Sequence, residues 1–233
     1  MKSLKYIAAS ALAAALVVTP AVAKKPMHHH KPMAKPMVCS LNSAPEKTGH
    51  IVADATQTMA DFRGTIPADL LARAKGIIIV PSLVKVGFII GGQGGDGVLL
   101  RRNGNTWSYP AFYSLGSPSL GLQAGISSAQ VVMLLMSDRA LAAVEREQFK
   151  LGSEAGISIL VVGGNGGDTS YKGDIIAWAR ASGAYIGLTI NDSTLKQEPT
   201  LNANYYDRAV PFDDVFMGKA CNGNADPLRA SLH

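Results

Sequence analysis

The sequence predicts an α+β domain built on a strongly twisted, mostly antiparallel sheet, open or partly closed, with short N-terminal, central and C-terminal helices. Three observations predict it. Residues 75–125 hold three short apolar runs rich in β-branched residues, at 77–80, 86–90 and 98–100, and runs of that length and composition are strand signals. They are punctuated by Pro81-Ser82, by a glycine cluster at 91–97 and by Asn103-Gly104-Asn105, which leaves room for tightly turned antiparallel strands. Ahead of them, Ile51, Val52, Ala55, Met59 and Phe62 share one helical face, a stripe that needs a sheet to pack on.

Taken in order, residues 1–23 have the grammar of a secretory leader. Lys2 and Lys5 form a charged start, residues 7–18 an apolar run, and Ala21-Val22-Ala23 a small-residue cleavage box. The expectation is a mature chain that starts at Lys24 and is exported, periplasmic or extracellular. Residues 24–47 are the predicted leash: Lys-Pro-Met recurs at 25–27, 31–33 and 35–37 around His28-His29-His30, and its prolines block helix and sheet alike. Three adjacent imidazoles on such a chain make a weak metal site, so no metal or other cofactor is expected.

The domain is expected over residues 48–220. Its helices are predicted at 50–62, closed by Gly64, and at 68–75, with Pro67 in the first turn and Gly76 as the stop. Further strands are predicted at 107–115, 119–127 and 130–136. Ser137 is a predicted N-cap for a helix through Gln148. Strand returns at 149–162, and residues 174–181 and 184–190 form a predicted hairpin around Ser182-Gly183. A short helix at 211–217 ends at Gly218, and residues 221–233 are a predicted tail.

The 233 residues, 47% apolar, suffice for one domain with appendages or two small ones. The formal charge of +5 suggests a nucleic-acid binder until its distribution is read. Six of the 22 basic residues (Lys2, Lys5, Lys24, Lys25, Lys31 and Lys35) precede Val38, leaving 16 against 17 acidic residues in the remainder. A nucleic-acid domain carries its basic stripe on the fold itself, so nucleic acid is not an expected partner. Cys39 and Cys221 are an even pair in an exported chain and predict a disulfide. A lipid anchor at Cys39 is disfavoured, because the cysteine lies 16 residues past the cleavage box.

Several motifs resolve to structure. Gly92, Gly94 and Gly97 spell G-x-G-x-x-G, but the strand residues Val98-Leu99-Leu100 follow, where a dinucleotide site needs a helix N-terminus. GGQGGDGVL also fits a calcium β-roll nonapeptide, with a looser echo at Gly163; copies that far apart cannot stack. Both are predicted to be glycine turns or points of close backbone approach. There is no H-E-x-x-H, no G-x-S-x-G, and no histidine between His50 and His233, so no enzyme is expected, although a site assembled from distant carboxylates stays open. The remaining candidates are Lys75, Lys85, Arg101, Arg102 and Lys172. Clustered at strand ends they would make an anion patch for phosphate head groups; unclustered, they are solvated strand ends.

The chain resembles the SYLF domain, a lipid-binding family. The resemblance lies in Ala74-Lys75-Gly76 with its apolar run and Pro81, Lys85-Val86-Gly87-Phe88, the run from Gly91 to Leu99, Trp107-Ser108-Tyr109-Pro110-Ala111-Phe112 and Gly121-Leu122-Gln123-Ala124-Gly125. It continues through Phe149-Lys150-Leu151-Gly152, Gly183-Ala184-Tyr185-Ile186-Gly187-Leu188 and Asn204-Tyr205-Tyr206, from about His50 to Gly218. It implies a non-catalytic domain that binds acidic phospholipids; eukaryotic members are similar in binding phosphoinositides and, in some, actin. The leader looks bacterial, so a secreted bacterial-type member is expected. The expected function is therefore peripheral binding to anionic lipid head groups at a membrane. The alternative is a structural or scaffolding protein of the envelope that binds a protein or glycan partner.

Overall fold

The computed structural model describes Cys39 and residues 46–87, 90–120, 125–153, 155–162, 171–182, 190 and 192–233. The leader, the Lys-Pro-Met leash with its histidines and residues 184–189 of the hairpin arm predicted at 184–190 lie outside the described residues. The α+β expectation holds. Helices α1 (Glu46–Asp61) and α2 (Ala68–Arg73) precede strands β1 (Gly76–Gly87), β2 (Ile90–Asn103), β3 (Thr106–Trp107), β4 (Ala111–Leu120) and β5 (Gly125–Leu135). After α3 (Asp138–Val144) come β6 (Gln148–Lys150), β7 (Ile159–Val162), β8 (Ile175–Ser182) and β9 (Thr194–Gln197). Helices α4 (Pro199–Tyr206), α5 (Phe212–Phe216) and α6 (Asp226–Ala230) close the chain. The strands form one sheet in the order β6-β9-β4-β2-β1-β5-β8-β7, with β3 beside β2. Every pairing is antiparallel except β7 with β8.

The largest departure from expectation is in the first strands. The run 77–80 and the start of the run 86–90, Val86 and Gly87, do not form separate strands; they belong to β1, and Ile90 opens β2. Pro81-Ser82 is a bulge: from Val80 to Leu83 β1 advances three residues while β5 advances two, Val131 to Ala129. Such a bulge leaves one residue unpaired and sharpens the local twist. The glycine cluster is likewise no turn. Residues 91–97 are strand, paired with β1 on one side and β4 on the other. Glycine is required there because the bulge brings β1 close. A Cβ on Gly95 would collide with the Ser82 carbonyl oxygen, and one on Gly97 with the Ile79 carbonyl oxygen and, at 2.9 Å, with Val80 Cγ2.

Other boundaries shift for local reasons. The predicted strand at 107–115 is split into β3 and β4 by Ser108-Tyr109-Pro110, and that at 119–127 covers the end of β4 and the start of β5. The predicted strand at 149–162 is broken between β6 and β7, where Gly152 and Gly156 take φ of 81° and 84°. Ser137 does cap α3, its hydroxyl accepting from the Ala140 amide, but the helix ends at Val144 because Gln148 begins β6. The helix expected at 211–217 is α5, with Gly218 at φ 73° behind it. Helix α1 begins at Glu46, inside the predicted leash.

The expected tail at 221–233 is part of the domain. Leu228 and Leu232 are buried, the Leu232 carbonyl accepts from Trp107 Nε1 at 3.1 Å, and Arg229 Nε donates to the Trp107 carbonyl at 3.0 Å. Cys39 and Cys221 are joined by a disulfide, their Cα atoms 5.5 Å apart. The core is built from both sheet faces at one end of the long strands: Ile77, Ile78, Ile79, Leu99, Phe112, Val132 and Leu134 are fully buried. Helix α1 covers one face. Lys47 pairs with Asp96 of β2 at 2.8 Å, and Gln130 of β5 donates to Asp61 at 2.7 Å. Val52, Ala55 and Met59 are buried beneath α1, so its apolar face belongs to the core.

Candidate functional site: the two ends of the sheet

The five sequence-derived cations do not form one patch. Lys75 and Lys85 lie ten residues apart along β1, about 30 Å in an extended strand. Lys75, Arg101 and Arg102 meet at the covered end of the sheet, where Gly76 is opposite Arg101 and the Lys75 carbonyl accepts from the Arg102 amide at 2.8 Å. Lys172 is exposed and precedes β8, whose first residue, Ile175, is opposite Leu135 at that same end.

Most of these side chains are engaged. Lys75 Nζ lies 3.4 Å from Asp138, and Arg101 Nη1 lies 3.2 Å from Glu145. Arg102 donates to the carbonyls of Ala74 and Leu71 at 2.9 and 2.7 Å, and its guanidinium lies 4.1 Å from the centre of the Trp107 ring. Burial lowers the Arg102 pKa. Arg102 is therefore a fastener of the core, tying α2 to β2. Tyr205 and Tyr206 also belong to the core. Both are buried, and the Tyr206 hydroxyl donates to the Pro110 carbonyl at 2.7 Å.

The opposite end differs. Past the bulge, β1 continues as Val84, Lys85 and Val86, with glycine and serine across from it: Val84 opposite Gly94 and Ser128, Lys85 opposite Gln93 and Ser127, Val86 opposite Gly92. Val86 is 47% exposed. Lys85 is half-buried. Alternation along the strands places Val84, Val86, Ser128 and Gln130 on the face that α1 crosses.

Two cavities are lined by described residues. One, about 480 Å³, lies beside the bulge and is lined by Pro81, Ser128, Ala129, Gln130, Arg180 and Ala181. Arg180 had no place among the sequence candidates; it follows Trp178 in an alternating strand, and nothing in the sequence links it to Pro81 or Gln130. The second cavity, about 410 Å³, has Glu145, Glu147 and Asp213 with Pro211 and Phe212 in its wall. Burial raises the Glu145 pKa, and Arg101 opposes that shift. Its carboxylates make it unsuited to an anionic head group. Both histidines among the described residues, His50 and His233, are exposed. No three metal-ligating side chains gather among the described residues, and no described helix is long and apolar enough to cross a membrane.

A sequence profile of the Ysc84 family, described as a Las17-binding protein actin regulator, matches residues 116–233. The chain is 26% identical over 194 residues to the SH3 domain-containing YSC84-like protein 1 of Bos taurus, covering 80% of this chain and 56% of that protein. It is 28% identical over 209 residues to an SH3 domain-containing protein of Schizosaccharomyces pombe, covering 85% and 48%. It is also 27% identical over 180 residues to LAS seventeen-binding protein 3 of Saccharomyces cerevisiae, covering 73% and 39%. The chain thus spans about half the length of the curated relatives it matches, and no solved structure matches it. With half of its residues under the family profile and its expected sheet in place, the chain belongs to the Ysc84, or SYLF, family.

Proposed function

We propose that this protein is a non-catalytic, exported binding domain that docks on anionic phospholipid surfaces through the open end of its sheet. One observation carries the reading: β1 outruns the core and presents Val86, nearly half exposed, beside Lys85. An apolar side chain next to a lysine suits an interface in which one enters the head-group region and the other meets phosphate. The leash lysines Lys24, Lys25, Lys31 and Lys35 add general attraction, about 1 kcal/mol each at an anionic surface and screened beyond about 8 Å. Four such contributions give only millimolar affinity, so a folded contact must supply the rest. Of the five sequence-derived cations, Lys85 belongs to this surface, and Lys75, Arg101, Arg102 and Lys172 belong to the far end.

Co-sedimentation with phosphatidylcholine vesicles, with and without phosphatidylglycerol, tests this. Val86→Asp should lower binding to the anionic vesicles about tenfold and Lys85→Gln by a smaller factor. If the triple exchange Lys75→Gln, Arg101→Gln, Lys172→Gln abolishes binding while Val86→Asp leaves it intact, the docking face is the covered end instead. The second reading is an envelope scaffold that binds a protein. The family's description as a Las17-binding protein favours it, as does β7 at the sheet border with Val161 37% exposed, since a border strand is a site for strand addition. Failure to sediment with any vesicle, together with retention of a protein partner by the immobilised chain, would replace the first reading by the second.

A further inference from the structure

We propose that the cavity beside the β1 bulge is a phosphate site, that Arg180 is its anchoring residue, and that the phosphate it takes is that of a lipid head group. The inference rests on the docking reading above and names the group that would give such docking its head-group preference. The cavity, about 480 Å³, falls within the range of small-ligand sites. Its lining residues include one arginine, Arg180, with Ser128, Gln130 and Pro81, and no carboxylate. Arg180 is anchored without being used up. Its Nη1 donates to the Asp61 carbonyl at 2.9 Å, at the C-terminal end of α1, and among the described residues its other donors make no hydrogen bond. An arginine so placed keeps a planar fork for an oxyanion, where it outperforms a lysine through paired hydrogen bonds.

Position ties the cavity to the proposed membrane contact. Gln130 is opposite Arg180, and Ser128 is opposite both Val84 and Ser182, so Arg180, Ser128 and Val86 project from one face. Val86 lies two strands over and four residues further along the sheet from Arg180, about 16 Å away, so a head group held at Arg180 and the Val86 side chain would meet the same membrane surface at separate points.

Asp61, whose backbone carbonyl Arg180 holds, also carries a carboxylate that feels the charge of this guanidinium. It is turned to other partners: Gln130 Nε2 donates to it at 2.7 Å and Gln57 Nε2 at 2.9 Å. These two amides, Gln130 first, hold its pKa below the ordinary value, and Arg180 lowers it further. Asp61 therefore stays ionised and opposes an incoming phosphate. That opposition gives the proposal a test with two signs.

The full mature chain is measured against phosphatidylcholine vesicles with and without phosphatidic acid, and against inorganic phosphate in solution. Arg180→Gln should reduce the preference for phosphatidic acid about tenfold and leave the weak, salt-sensitive attraction of the leash. Asp61→Asn, which removes the charge and keeps an acceptor oxygen for one of the two glutamine amides, should raise the preference two- to threefold. A merely structural role for this cluster would make both variants weaker, in step with their thermal midpoints, and would overturn the proposal. So would an unchanged preference in Arg180→Gln with vesicle binding intact, an outcome that leaves the docking reading standing. If the wild-type chain binds no vesicle at all, the docking reading fails first. Uptake of inorganic phosphate by the wild type and not by Arg180→Gln, with vesicle preference unchanged, assigns the cavity to the free ion and overturns the head-group assignment.

Discussion

The covered and open ends of β1, β2 and β5 are continuous in backbone and unlike in nearly everything else. At the covered end Ile77–Ile79, Val98–Leu100 and Val131–Leu135 are buried on both faces, helices α1 to α6 bring side chains to it, Lys75 and Arg101 are paired with carboxylates, and Arg102 is held by backbone carbonyls and Trp107. At the open end the same strands carry glycine, serine, Lys85 and Val86. The bulge at Pro81-Ser82 lies between them. A sheet that is one hydrogen-bonded ladder thus has a half that stabilises the fold and a half free to evolve contacts with something else.

The disulfide fastens the covered end, where the Tyr109 hydroxyl lies 3.0 Å from Cys39 Sγ and 3.2 Å from Asp226. It closes a loop of 182 residues, for which the chain-entropy account gives about 5 kcal/mol as an upper figure. The double exchange Cys39→Ser, Cys221→Ser should cost about 2–5 kcal/mol of unfolding free energy, measured by chemical denaturation. An unchanged midpoint, or two thiols that react in the denatured, non-reduced protein, would remove the staple from this account.

Gly95 marks the border. Its missing side chain is what lets β2 pass the bulged Ser82, and an added Cβ would also sit 3.1 Å from the Leu83 Cα. Those neighbours are backbone and cannot rotate away. Gly95→Ala should destabilise by about 1–3 kcal/mol, as overpacking does. A loss under about 0.5 kcal/mol would show that the bulge adapts freely and that the two ends are not separated by a rigid joint.

Asp174 concentrates the pH dependence at the covered end. The Ser137 hydroxyl is the largest cause holding its carboxyl down to about 2, followed by the Ser158 amide and hydroxyl, both at 2.9 Å, with Arg139 adding to them. The folded value is below the ordinary 3.8, so the stabilisation is complete above that pH and is lost as pH falls through about 2. Asp174→Asn should cost on the order of 1–2 kcal/mol at neutral pH. The gap to wild type should close in strongly acidic solution. A gap that persists there would mean that Asp174 acts by packing rather than by charge.

How much of this was visible in the sequence depends on range. Ser137 as an N-cap, Gly64 and Gly218 as helix ends and the cysteine pair were legible, because each is a local rule or a count. The glycine cluster is legible only as a choice: close approach to Ser82 and a tight turn both call for glycine, and only the register separates them. The 221–233 segment was taken for a tail because two buried leucines are too few to show a periodicity; its attachment runs through Trp107, more than a hundred residues away. The partners of the basic residues are hidden for the same reason. Arg101 is visible as a charge, while its partner Glu145 is 44 residues off. Arg180 was overlooked because its surroundings are assembled from α1, β1 and β5.

The smallest effect is expected at Gly94, and it bears most directly on the comparison. Gly94 and Gly95 are neighbours in the same cluster, and composition cannot tell them apart. Their side-chain positions point to opposite faces. An added Cβ on Gly94 would find the Leu115 carbonyl oxygen at 3.9 Å as its nearest neighbour, an ordinary contact, and Gly94 is exposed where Gly95 is half-buried. Its φ is not among the positive values, which fall at Gly64, Gly104, Gly152, Gly156 and Gly218, so alanine fits the backbone as it stands. Removing a glycine from such a position restricts the unfolded chain and stabilises by about 0.4–1 kcal/mol. Gly94→Ala should therefore be neutral or gain up to about that amount, while Gly95→Ala loses stability. If both lose equally, the cluster needs glycine for a reason common to its length, and the division of the sheet at the bulge is wrong. If Gly94→Ala is stable but binds anionic vesicles more weakly, the β2 position paired with Val84 is part of the docking surface, and the open end is functional on β2 as well as on β1.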